Sequence, residues 1–142
     1  MKKLFNETCP FCNIVLGKAE GSIIYEDNVV VAFMDLLPAR VGHTLVIPRE
    51  HYENIYDVPE EVLVKVVLAV KRVSVAVKKT FSADGVKIIQ LNGRAAGQVV
   101  FHIHFHVIPI VNASSAEIGH FGRIKSRRSE LDEIAQKIRK NL

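Results

Sequence analysis

Three imidazoles stand at a spacing of two in Phe101-His102-Ile103-His104-Phe105-His106-Val107-Ile108-Pro109. On a helix each step of two turns the side chain by roughly 200°, so the three cannot share a face. On a strand they point one way, while Phe101, Ile103, Phe105 and Val107 point the other. The pattern predicts a strand from Val99 to Ile108. One face is buried, and the other carries groups able to titrate, attack as nucleophiles or bind metal.

Cys9 and Cys12 are the only two cysteines, in Cys-Pro-Phe-Cys. Three chemistries compete for them. A disulfide across two residues would constrain little chain. A redox Cys-x-x-Cys would want a preceding strand, a following helix and a βαβ setting, whereas the residues after Cys12 lead through Gly17 into a hairpin. Zinc would need two further ligands for a tetrahedral Cys₂His₂ site, for which His51 and His102 are the candidates. Reduced thiols with no ligand are the remaining possibility.

The connection Asn92-Gly93-Arg94-Ala95-Ala96-Gly97-Gln98 runs directly into the histidine segment. Its two glycines permit backbone N–H groups to approach an anion, and Asn92 and Gln98 add side-chain donors. A plain β-turn accounts for the glycines alone. Adjacency to His104 is what favours an anion site, because a phosphate held there lies within reach of an imidazole.

Several elements must position these residues. Ser22 to Glu26 and Val29 to Met34 read as a hairpin around Asp27-Asn28, and Thr44 to Ile47 as a strand closed by Pro48. Asp57-Val58-Pro59-Glu60-Glu61 reads as a helix start with an Asp cap, an early proline and first-turn acids. The helix is expected to run to about Lys79, with Val62, Leu63, Val66, Val67, Val70, Val73 and Val77 inward. Val86 to Leu91 is a further strand. A last helix from about Ser129 turns Leu131, Ile134, Ala135 and Ile138 inward. Paired strands with one long helix between them predict an α+β fold with an antiparallel sheet.

The 142 residues suit one domain, and 49% hydrophobic with 24% charged is an ordinary globular composition. No apolar run approaches the roughly 20 residues that cross a bilayer, and Met1-Lys2-Lys3 is not followed by the apolar stretch of a signal peptide, so no membrane association and a cytoplasmic location are expected. The net charge of +4 lies largely in Arg123, Lys125, Arg127, Arg128, Lys137, Arg139 and Lys140. These read as a solvated tail helix. They are not interleaved with aromatics, so no nucleic-acid partner is expected.

These residues resemble the histidine-triad (HIT) family, in its Hint-like branch. The family signature, His-x-His-x-His followed by apolar residues, is matched by His102 to Ile108. The likeness extends from about Cys9 to Pro109. Val31-Ala32-Phe33-Met34-Asp35 is similar to the nucleoside-binding strand, and Gly42-His43-Thr44-Leu45-Val46-Ile47-Pro48 with His51 and Asn54 forms a second matching block. Asn92 and Gly97-Gln98 match the phosphate loop.

The resemblance implies one HIT domain over residues 1–142, with a core of about 9–110 and a tail and helix over 111–142. It implies a homodimer of HIT-like fold: a five-stranded antiparallel sheet, one long central helix and a C-terminal helix. The implied activity is that of a nucleotide hydrolase or transferase acting at the α-phosphate of purine nucleoside phosphoramidates or dinucleoside polyphosphates. His104 would attack phosphorus, and His106 would contact the phosphate. Asn92, Gly97 and Gln98 would hold its oxygens. Asp35 would accept from the ribose, and Phe11, Ile14, Phe33 and Leu36 would line the base pocket. Cys9, Cys12, His51 and His102 would hold a structural zinc, and no organic cofactor is implied. Val99 stands where such members often carry Ser or Thr, which leaves the leaving group open. Two rival readings are a non-catalytic nucleotide sensor or adaptor, and a hydrolase using the triad itself as catalytic zinc ligands.

Overall fold

The computed structural model of the protein describes residues 4–112 and 126–142. In chain order the elements are α1 (Pro10–Val15), β1 (Ile23–Glu26), β2 (Val30–Met34), β3 (Thr44–Pro48), α2 (Glu60–Phe81), β4 (Gly85–Gln90), β5 (Phe105–Ile110) and α3 (Arg128–Arg139). A short 3₁₀ turn, Arg94–Ala96, lies between β4 and β5. All the strands pair antiparallel, in the order β1-β2-β3-β5-β4. The expected α+β architecture with five strands, a long helix and a C-terminal helix is therefore present. Arg123 and Lys125 lie outside the described residues.

β2 and β3 are continuous apolar runs because both faces of the sheet are covered there. Val30, Ala32, Met34 and Val46 pack with Val66, Val70, Val73 and Val77 of α2 and with Leu131, Ala135 and Ile138 of α3. Val31, Phe33, Leu45 and Ile47 pack on the other face with Phe11, Cys12 and Ile14 of α1. Each such buried aliphatic side chain contributes about 1.5–3 kcal/mol. The alternation carries into β5: Val107 and Phe105 join the α2 side, while His106 pairs with Leu45 on the α1 side.

Three expectations are corrected. The strand predicted from Val99 begins only at Phe105, so His102 and His104 lie in the extended lead-in and only His106 is on the strand. The cause is that the Ile103 N–H is drawn to the Tyr52 carbonyl (2.7 Å) instead of a sheet neighbour. The long helix starts at Glu60 after Pro59, with no side-chain cap. Asp57 instead accepts from the Asn54 N–H (3.0 Å) and the Glu53 N–H (3.3 Å), capping the preceding turn. Val67, expected inward, is 47% exposed. A short helix also follows the first cysteine: Pro10 fits its first turn, and the Cys9 sulfur accepts the Cys12 N–H at 3.4 Å.

Candidate functional site

The lead-in and start of β5, the two flanks of β3, α1 and the residue after β2 bring together His102, His104, His106, His43, His51, Cys9, Cys12 and Asp35. His102 is fully buried and donates its Nε2–H to the Pro48 carbonyl at 2.8 Å. A carbonyl only accepts, so the lone pair of the neutral ring is on Nδ1. That nitrogen faces Cys9 Sγ (3.5 Å) and Cys12 Sγ (3.6 Å). His51 Nδ1 lies 3.4 Å from Cys12 Sγ. The four ligand atoms all lie within 4.8 Å of one another.

These distances fit a tetrahedral metal ion. With Zn–S of about 2.3 Å and Zn–N of about 2.05 Å, a tetrahedral angle puts sulfur and nitrogen roughly 3.6 Å apart. The donor chemistry fits as well. Burial, with smaller repulsion from His51 and His104, pushes His102 down to about 4, so its ring is neutral and able to ligate. Burial pushes the Cys12 thiol up to about 11; the Asn6 N–H opposes this and Cys9 adds to it. The Cys12 thiol is therefore costly to ionise without a cation beside it.

His104 differs from its neighbour. Its Nδ1–H donates to the His102 carbonyl at 2.7 Å, which places the ring's lone pair on Nε2. The Phe11 ring meets it edge-on. His104 and His106 line a cavity of about 730 Å³ together with Phe11, Ile14, Phe33, Asp35, Leu36 and Gly97. Eight of the expected nucleotide-site residues thus share one cavity. Its size and apolar walls with few polar groups suit a small organic ligand. Val99, 84% exposed, stands on its rim.

Asn92 and Gln98 are placed differently. Gln98 is buried: its Oε1 accepts the Gly93 N–H (2.8 Å), and its Nε2 donates to the Glu53 (2.6 Å) and Val100 (3.1 Å) carbonyls. Asn92 exchanges two 2.7 Å bonds with Gln90 and accepts the Ile55 N–H at 2.8 Å. Both side chains brace the loop from behind, and the loop's backbone comes to the cavity at Gly97, where φ is +97°.

The sequence patterns assigned no role to His43. It is fully buried at the start of β3, with Nε2 2.9 Å from His106 Nδ1 and 3.4 Å from Asp35 Oδ2. Its sequence signals are its place in the second family-matching block and its position directly before a strand that pairs with the histidine strand. The three triad rings therefore engage three different partners: a cysteine pair, a backbone carbonyl and a buried histidine. Among the described residues they are not gathered as one ligand set.

Residues 17–112 match the model of the HIT domain. The chain is 45% identical over 129 residues to an uncharacterized HIT-like protein of Saccharolobus solfataricus, covering 91% of this chain and 93% of that one. It is 37% identical over 101 residues to the adenylylsulfatase HINT3 of Arabidopsis thaliana, covering 71% of this chain and 51% of that protein. Two solved structures resemble it along nearly their whole lengths. One, a hypothetical histidine triad nucleotide-binding protein from Sulfolobus tokodaii, superposes with a TM-score of 0.85 at 35% identity, covering 94% of this chain and 91% of that one. The other, a zinc-bound histidine triad family protein from Mycobacterium smegmatis, gives 0.82 at 36% identity, covering 94% and 92%.

Proposed function

The chain belongs to the HIT-domain family, and from that premise we propose that it is a nucleotide hydrolase or transferase working through a nucleotidyl-histidine on His104. The substrate is a purine nucleoside phosphoramidate or a dinucleoside polyphosphate, cleaved at the α-phosphate. One observation carries this reading: His104 lines the cavity with Nδ1–H committed to the His102 carbonyl, so the neutral ring presents its nucleophilic lone pair on Nε2.

Attack forms an Nε2–P bond, and the bond from phosphorus to the leaving group breaks with its electron pair going to the leaving atom. The ring becomes cationic while bound to phosphorus, and the His102 carbonyl opposite Nδ1–H stabilises that charge. Water then displaces the imidazole. Asp35 lies in the same cavity, in reach of a ribose hydroxyl, while Phe11, Phe33 and Ile14 offer apolar contact to a base. Cys9, Cys12, His51 and His102 would hold a structural zinc, which would tie the N-terminal segment to the triad. The zinc-bound relative from Mycobacterium smegmatis supports the metal part of this reading, and the adenylylsulfatase relative from Arabidopsis supports the nucleotide part.

The test is His104→Asn assayed on adenosine and guanosine phosphoramidates and dinucleoside polyphosphates. The expected loss in kcat is at least roughly 10³-fold, with monophosphate binding kept within about tenfold. Rapid-quench intact mass should show an acid-labile nucleotidyl adduct on the wild type alone. Turnover by the variant near the wild-type rate would remove His104 as nucleophile. Binding without turnover by the wild type would leave a sensor or adaptor.

A further inference from the structure

His43 is anchored from one side by a backbone amide: the Ala39 N–H donates to its Nδ1 at 2.9 Å. That nitrogen therefore carries a lone pair, and the proton of the neutral ring is on Nε2. Nε2 stands 2.9 Å from His106 Nδ1. Were His106 the donor across this contact, His43 would have to accept on both nitrogens as an imidazolate, whereas a neutral imidazole has one acceptor and one donor nitrogen. So His43 donates and His106 Nδ1 accepts. The proton of neutral His106 is then on Nε2. Asp35 Oδ2, at 3.4 Å, favours the same Nε2–H on His43.

We propose that His43 is a positioning residue that fixes His106 in its Nε2–H tautomer, so that His106 serves the phosphate as a hydrogen-bond donor only. The proposal rests on the phosphate reading given above. Two triad rings two residues apart then hold opposite tautomers. His104 faces a carbonyl, which keeps the proton on Nδ1 and the lone pair on Nε2. His106 faces an N–H, which keeps the lone pair on Nδ1 and the proton on Nε2. One nitrogen attacks while the other donates, and neither ring can exchange roles without breaking a buried hydrogen bond.

The same argument disposes of a rival use of this cluster. Asp35, His43 and His106 also bring their ligand atoms within 4.8 Å of one another. A cation there would need the His43 Nε2 lone pair, and the Ala39 amide holds the ring in the tautomer that lacks it.

His43→Asn and His43→Gln separate the two ends of the ring. Asn places its carboxamide near the Nδ1 position, where it keeps a partner for the Ala39 N–H but no donor to His106. Gln reaches the Nε2 position and supplies that donor. Nitrogen-15 spectra of the imidazoles report each tautomer directly, and steady-state kinetics on adenosine phosphoramidate report its consequence. In the wild type, His106 should appear as the Nε2–H form and His104 as the Nδ1–H form. His43→Asn should shift His106 toward Nδ1–H and lower kcat about tenfold or more with KM within about threefold; His43→Gln should recover most of the rate. A wild-type His106 protonated on Nδ1, or equal rate losses in the two variants, would overturn the proposal. If His43→Asn does not fold, the wild-type spectrum and the Gln variant decide it. If the wild type turns over no nucleotide substrate, the reading of function fails, while the spectrum still judges the tautomer.

Discussion

The Phe11 ring meets His104 edge-on, with centroids 5.1 Å apart and planes at 86°. Phe11 lies between Cys9 and Cys12 on α1, and it also touches Phe33 at 5.3 Å and His102 at 6.0 Å. A wall of the cavity is thus carried by the short helix that Cys9 caps and that contains Cys12.

That arrangement predicts what removing the metal does. Protein purified without a histidine tag should hold close to one zinc per chain, as a closed four-ligand site does. Stripping it should lower the thermal midpoint and raise KM through the loosened Phe11, with a smaller effect on kcat. Metal analysis alongside thiol titration is the check. Below about one-tenth zinc per chain, with both thiols reactive, the site is not a zinc site.

Gly42 immediately precedes the buried His43 and packs closely against Phe81 at the end of α2. Its φ is +93°, and a Cβ there would enter the Phe81 ring and come within 2.9 Å of Pro109 Cγ. Gly42→Ala should therefore lose about 2–4 kcal/mol from backbone strain and overpacking together. Urea denaturation measures this. A loss under about 1 kcal/mol would mean that the end of α2 yields easily and does not hold His43 in place.

Much of this was legible in the sequence, since it depended on period and residue type. The strand alternation put Phe105 and Val107 opposite His106, and the valines at helical spacing overrode their own strand preference. What stayed hidden depended on which partner a polar group chose. Nothing local tells that the Ile103 N–H goes to Tyr52, which shortens the histidine strand, or that Asp57 caps the turn before the helix. Asn92 and Gln98 have the right chemistry for a phosphate, yet their bonds go to Gln90, Ile55, Gly93, Glu53 and Val100. His43 stood in a matching block but received no role, because its meaning comes from a neighbour 63 residues away.

Tyr52 gives an alkaline signature. Burial, with the Glu50 carboxylate accepting its O–H at 2.8 Å, pushes its phenol up to about 12. The folded state then holds the proton more tightly than the unfolded chain, whose tyrosine titrates near 10. Stability from this group is complete below pH 10 and is lost as pH rises through about 12, amounting to about 3 kcal/mol. Tyr52→Phe should flatten that fall when unfolding free energies at pH 9 and pH 11.5 are compared. An identical alkaline decline in both proteins would assign the effect elsewhere.

α2 is apolar on two sides. Val66, Val70, Val73 and Val77 face the sheet, and the opposite stripe carries Val64, Val67, Leu68 and Val75, which are 59%, 47%, 50% and 57% exposed. The sheet covers only one of these two apolar sides. β4, at the margin of the sheet, adds Ile88 at 50% exposure and an edge open to pairing. A second copy of the chain, related by a two-fold axis, would cover both features with one self-complementary surface. The protein should therefore behave as a dimer at micromolar concentration by light scattering. Leu68→Glu, which sets a charge in the middle of the stripe without touching the core, should yield a folded monomer. A stable wild-type monomer, or a Leu68→Glu protein that remains dimeric, would place the contact on another face or abolish it.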